Sequence, residues 1–136
     1  MQRKNFIKIF FISLIGGIIF LLYKFIFKTP EIVKLGHVNE FQNFPHYEFD
    51  VGEKEAILMQ NDKGEFYTLN LECTHKKCKV EWNKTDKEFK CKCHHGRYNA
   101  KGEPIGGPPK RPLEILTTMV MNDSLVVFAD KNLFKQ

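Results

Sequence analysis

The chain has 136 residues, room for one domain once any membrane segment is set aside, and near the lower end of what can bury its own core. Its formal charge is +5, but residues 1–28 hold five basic and no acidic side chains, so the remainder, with sixteen of each, is neutral. A nucleic-acid binder carries its basic excess on folded surface, where it displaces phosphate counterions, so nucleic acid is excluded as the expected partner.

Residues 6–27 read FIKIFFISLIGGIIFLLYKFIF, interrupted only by Lys8 and Lys24 near the ends, where long side chains reach the interface. A helix of that length, at about 1.5 Å per residue, crosses a bilayer core of about 30 Å. A cleaved signal peptide is the rival, but the apolar run exceeds a typical h-region and no small-x-small cleavage site follows. Ahead of it, Arg3, Phe6, Ile7 and Lys8 match part of a twin-arginine export signal, with Lys4 in place of the second arginine; a plain positive-inside flank explains the same residues. Either way the expectation is a single-pass anchor in residues 1–28, its N-terminus inside, and a domain in residues 29–136 on the outer face of a bacterial cytoplasmic membrane.

The domain reads as all-β. EIVKLG, HYEFDV, KEAILMQ and EFYTLNL alternate or run apolar for strand lengths, with turn chemistry at NDKG between the last two. LEILTTMV and SLVVFAD form a final pair around a tight turn at MND. Between these groups, residues 72–111 read as a loop-rich insertion ending in GGPPKRP, too long and irregular for a hydrophobic core alone to hold. Charge divides the same way. Residues 73–112 carry eleven Lys or Arg against four acids, net +7, and the rest of the domain five against twelve, net −7. A docking surface for an acidic partner and simple solubilising lysines both account for this.

All four cysteines and three of the five histidines fall in the insertion. Cys73 and His75 form C-x-H, Cys91 and His94 form C-x-x-H, and thiolates with imidazoles in such pairs are metal ligands. A zinc-stapled interaction module is one reading, though zinc pairs are usually spaced by two to four residues and Cys78 and Cys93 would be left over. An iron-sulfur cluster with two Cys on one iron and two His on the other asks for the mixed composition, and the remaining two cysteines could pair as a disulfide, which an exported domain permits.

The segments CTHKKC and CKCHHGRY resemble the two boxes of the Rieske family, whose cytochrome bc-type members read C-T-H-x-G-C and C-P-C-H-G-S, and GGPPKRPL resembles that family's proline loop. The resemblance implies an antiparallel β-sandwich or barrel with a cluster-binding subdomain at about 72–112, carrying one 2Fe-2S cluster. It implies Cys73, His75, Cys91 and His94 as ligands, a Cys78–Cys93 disulfide, Tyr98 as donor to a ligand sulfur, and Gly106, Gly107, Pro108 and Pro109 as the loop covering the cluster. The departures are Lys76 and Lys77, where the family has an apolar residue and glycine, Lys92 for proline, and His95 for glycine. His95 is expected to be an exposed neighbour of the ligands. The lysines set the tip of the first loop apart from one that docks at a quinol site.

The implied function is single-electron transfer from quinol to a cytochrome as a subunit of a cytochrome bc-type complex, with b-type and c-type cytochromes as partners. Electron and proton are expected to move together, with His75 and His94 taking the quinol hydrogen bond and proton. A tethered Rieske subunit of another oxidoreductase, such as an arsenite-oxidase-like enzyme, is the alternative. Gly96 stands where high-potential members carry a serine that donates to the cluster, so the potential is expected below the top of the Rieske range of about −150 to +300 mV, as suits menaquinol.

Overall fold

The computed structural model describes residues 2–26 and 31–129, with side chains for 8–24 and 31–129. Helix α1, Gln2–Ile26, has exposed side chains throughout its described part. Among the described residues no helix is long and apolar enough to cross a membrane. Lys8 and Lys24 bound the described stretch, and the apolar ends of the expected span lie outside it.

The six expected strands all form: β1 (Ile32–His37), β2 (His46–Val51), β3 (Lys54–Gln60), β4 (Phe66–Asn70), and further along β9 (Ile115–Met121) and β10 (Ser124–Phe128). They make one antiparallel sheet in the order β1-β10-β9-β4-β3-β2, curled into a nearly closed barrel. A one-turn helix α2, Val38–Phe41, buries Phe41 and was not foreseen. The turn between β3 and β4 follows its sequence: Asn61 Oδ1 accepts from the Lys63 and Glu65 amides, and Gly64 takes a positive φ. Asn122 and Asp123 both have positive φ between the paired Met121 and Ser124, the two-residue geometry that matches strand twist.

The insertion corrects the reading of residues 72–111 as loop. It carries a second sheet of four short strands, β5 (Val80–Asn83), β6 (Glu88–Cys91), β7 (Arg97–Asn99) and β8 (Pro104–Gly106), in sequence order. It also has a core. Val80, Phe89 and Tyr98 are 0 % exposed and pack in one cluster with Ile57, Leu69, Leu71 and Leu113 of the barrel. Strands of three or four residues are too short to display a period.

Two loops leave this shared core, and their backbones match. In the first, the Cys73 amide donates to the Cys78 carbonyl at 2.8 Å; in the second, the Cys91 amide donates to the Gly96 carbonyl at 2.8 Å. Each closes a six-residue segment, and in each the residue four beyond the cysteine is left-handed: Lys77 at φ 60° and His95 at φ 54°. These are the positions at which the bc-type boxes have glycine.

A left-handed non-glycine residue costs about 1–2 kcal/mol, and glycine gives back about 0.5–1 kcal/mol through its unfolded-state freedom. Lys77→Gly and His95→Gly are therefore each expected to raise the stability of the full chain by roughly 0.5–1 kcal/mol, since the exposed Lys77–Glu72 ion pair is worth little. Chemical denaturation checks this; unchanged or lowered midpoints in both variants contradict it.

Candidate metal centre

The two matched loops bring the donor side chains together in layers. Cys73 and Cys91, at the ends of the core-forming segments, are 2 % and 3 % exposed and free. His75 and His94, from the outer part of the loops, are exposed, and their rings meet edge to face with centroids 4.9 Å apart. Cys78 and Cys93 are joined as the expected disulfide, their Cα atoms 6.5 Å apart, tying one loop to the other. The sulfurs of Cys78, Cys91 and Cys93 lie within 4.8 Å of one another, but with two of them bonded this trio offers a single thiolate.

The buried sulfurs are surrounded by donors. Burial alone pushes the Cys73 thiol up; hydrogen bonds from Tyr98, from the His75 and Lys76 amides and from Cys91 outweigh it and leave Cys73 below the ordinary thiol range. Cys91 lies above that range through burial and its bond to Cys73, against the amides of Cys93 and His94. In both loops, then, the amides two and three residues beyond the cysteine point at its sulfur.

Tyr98 on β7 is completely buried, its hydroxyl 3.2 Å from Cys73 Sγ. Burial, then the bond to Cys73, raises its own pKa. The Thr74 amide donates to this hydroxyl at 3.1 Å. Thr74 Oγ1 also lies 3.1 Å away, but its proton goes to the Arg111 carbonyl at 2.8 Å. Thr74 Oγ1 can then only accept from Tyr98, so the tyrosine proton faces both Cys73 Sγ and Thr74 Oγ1, and Thr74 ties the proline loop to the first box. Sequence reading left Thr74 out, because a threonine between two ligand candidates carries no signal of its own.

The proline loop closes on the second box. A Cβ on Gly107, at φ 80°, would lie 2.6 Å from the His95 carbonyl and 2.9 Å from Gly96 Cα. Pro109 is buried against Gly96, while Gly106 is half-buried and Pro108 exposed. This contact changes the meaning of Gly96: a Cβ there would meet Pro109 Cγ at 2.8 Å, so the residue is small because the proline ring occupies the space. A serine introduced there must displace the ring before it can donate to anything. His95 is exposed and lines a groove with Trp82 and Arg97, outside the His75–His94 ring contact.

Two buried thiols and two outer imidazoles, converging from two loops, fit a cluster that takes sulfur on one iron and nitrogen on the other. A family model described as the Rieske [2Fe-2S] domain matches residues 31–119. Among curated proteins, the chain is 39 % identical over 74 residues to the cytochrome b6-f complex iron-sulfur subunit of Synechococcus sp. (strain JA-3-3Ab), covering 54 % of this chain and 43 % of that one. It is 42 % identical over 65 residues to the chloroplastic subunit of Volvox carteri, covering 48 % and 32 %. The chain thus spans less than half the length of these relatives. Among solved structures, the plasma membrane Rieske protein of Synechocystis PCC 6803 superposes with a TM-score of 0.60 at 26 % identity, over 70 % of this chain and 97 % of that one. A carbazole 1,9a-dioxygenase ferredoxin of Nocardioides aromaticivorans IC177 shares the fold at a TM-score of 0.51 and 20 % identity, over 74 % and 97 %. With more than half of its length matched by the family model, the chain belongs to the Rieske [2Fe-2S] family and carries one 2Fe-2S cluster.

Proposed function

We propose that this protein is the electron-transfer subunit of a quinol-oxidising, cytochrome bc-type complex of the b6-f kind. The observation that carries the reading is the exposed His75–His94 pair standing over two buried, hydrogen-bonded cysteines. Cys73 and Cys91 would hold one iron and His75 and His94 the other. When bound, the cluster supplies a one-electron acceptor. His75 and His94 each keep one ring nitrogen for an outside partner, which accepts the quinol hydrogen bond and holds the proton. Tyr98 donates to Cys73 Sγ, and the loop amides of His75, Lys76, Cys93 and His94 favour negative charge on the sulfurs. The proline loop keeps water from the Gly96 side. The relatives named as b6-f subunits support the complex.

The quinol is menaquinol in this reading, supported by Gly96, which offers no hydroxyl to raise the potential. The chain is held in a bacterial cytoplasmic membrane by residues 1–28, domain outward, supported by the exposed apolar side chains of α1 from Ile9 to Tyr23. A tethered carrier serving another oxidoreductase is the second reading, favoured by Lys76 and Lys77, which are exposed where a quinol pocket asks for apolar groups. Isolation from native membranes separates the two: a co-purifying b-type haem and cluster reduction by menaquinol are expected, and a chain free of b-type haem that menaquinol does not reduce contradicts the first reading.

Substituting Cys73, His75, Cys91 or His94 is expected to abolish the cluster's absorbance, because an open iron and a missing folding term follow from losing any one ligand. Cys78→Ala with Cys93→Ala is expected instead to retain some cluster while losing about 3 kcal/mol, the scale for a closed loop of about 15 residues. Equal cluster loss in both groups contradicts the division of roles.

Tyr98→Phe removes one donor to a ligand sulfur. A hydrogen bond to a charged group is worth about 1.5–3 kcal/mol; if roughly half of that discriminates between redox states, the midpoint falls by about 40 mV, at about 59 mV per tenfold for one electron. Redox titration reads the shift, and an unchanged or raised midpoint contradicts the role.

A further inference from the structure

We propose that the surface around His75 and His94 is a docking site for an acidic redox protein that takes the electron from this centre; the proposal rests on the electron-transfer reading above and names its partner class. Two grooves open near this surface, one containing His75 and the other His95. One, of about 500 Å³, is lined by His75, Lys77, Arg111 and Glu72 among others. The other, of about 700 Å³, is lined by Trp82, Lys84, Lys92, His95 and Arg97 among others.

The cations here fall into two sets. Lys77, Lys92 and Arg97 already face Glu72, Glu81 and Glu88. Lys76, Lys110 and Arg111 are exposed, and among the described residues no carboxylate lies within 4.0 Å of them. An unpaired lysine in water is ordinary; the placement of these three is not. Lys76 adjoins His75. Arg111 shares the His75 groove, its carbonyl fixed by Thr74 Oγ1 at 2.8 Å. Lys110 follows Pro109, which packs on Gly96 of the second box. Lys76 sits on the first ligand loop, and Lys110 and Arg111 sit on the proline loop that packs on the second.

Residues 73–112 hold a net +7 and the rest of residues 29–136 a net −7, and His75, His94 and His95 all belong to the positive segment. Such a field attracts an acidic surface to the histidine edge and repels it from the barrel, selecting orientation as well as rate. One electron passes to an oxidised haem on the partner, which is thereby reduced; no bond forms or breaks.

The test is the binding of the intact, cluster-loaded chain in detergent to two probes, a c-type cytochrome of net negative charge and one of net positive charge, against ionic strength. At about 0.01 M salt, where screening reaches only beyond about 30 Å, the acidic cytochrome is expected to bind at least tenfold more tightly. The preference shrinks as salt rises, and Lys76→Glu with Lys110→Glu and Arg111→Glu abolishes it. Lys34→Glu with Lys63→Glu, on the barrel, leaves it in place. Equal binding of both probes by the unaltered protein overturns the proposal without need of any variant, as does an equal effect of the two variant sets. Salt-sensitive self-association of the chain that the triple variant removes assigns the surface to a second copy and overturns it too. Reduction by menaquinol is read in parallel: its failure in the unaltered protein sinks the quinol reading and leaves the charge preference to be judged on binding, whereas its success beside equal binding sinks the docking surface alone.

Discussion

The sulfur atoms of Cys73 and Cys91 belong to the same buried cluster as Leu69, Phe89, Tyr98 and Leu113, and the other features of the centre depend on that placement. A thiol in an apolar interior resists ionisation, so the chain surrounds both sulfurs with donors whose worth rises as the local dielectric falls. The Tyr98 hydroxyl and the loop amides serve that purpose. The same core joins the barrel to the small sheet, so barrel packing fixes the position of the sulfurs while the imidazoles above them stay in water.

Holding two loops over one core with a common backbone explains the echo between CTHKKC and CKCHHG. Both are closed by the amide of the buried cysteine, and both turn through a left-handed residue four positions later. Side chains differ on this shared frame: histidine stands two residues beyond the first cysteine and three beyond the second, and the disulfide leaves from Cys78 in one loop and Cys93 in the other. Strain at Lys77 and His95 is held by the disulfide, the closing bonds and the proline loop together. Charge is gained in exchange, since glycine at Lys77 would remove one cation from the exposed edge.

Much of this was legible in the sequence. The barrel strands show their period, the cysteine and histidine spacing points to a mixed cluster, and the family resemblance supplied the disulfide that the structure contains. The small sheet was not legible, because EFKC, RYN and PIG are too short to repeat a pattern, so Val80, Phe89 and Tyr98 did not read as a core. Nor was the role of Gly96. Its missing side chain reads as a missing hydrogen bond, but that Pro109, thirteen residues away, fills the space could not be read. Left-handed positions are normally announced by glycine, and Lys77 and His95 conceal theirs. The apolar N-terminal run reads as a membrane span, and its described part within α1 is a helix with exposed apolar sides.

The central claim is that one cluster is held by two cysteines and two histidines from the paired loops. Pulsed electron paramagnetic resonance of the reduced, full-length protein, prepared with and without ¹⁵N-histidine, tests it most directly. The account predicts a signal from one reduced 2Fe-2S centre with nitrogen couplings from two imidazoles, both changed by the label and one lost when His75 or His94 is replaced. A protein that gives no such signal and holds one zinc per chain, or a cluster signal without histidine nitrogen coupling, would contradict it.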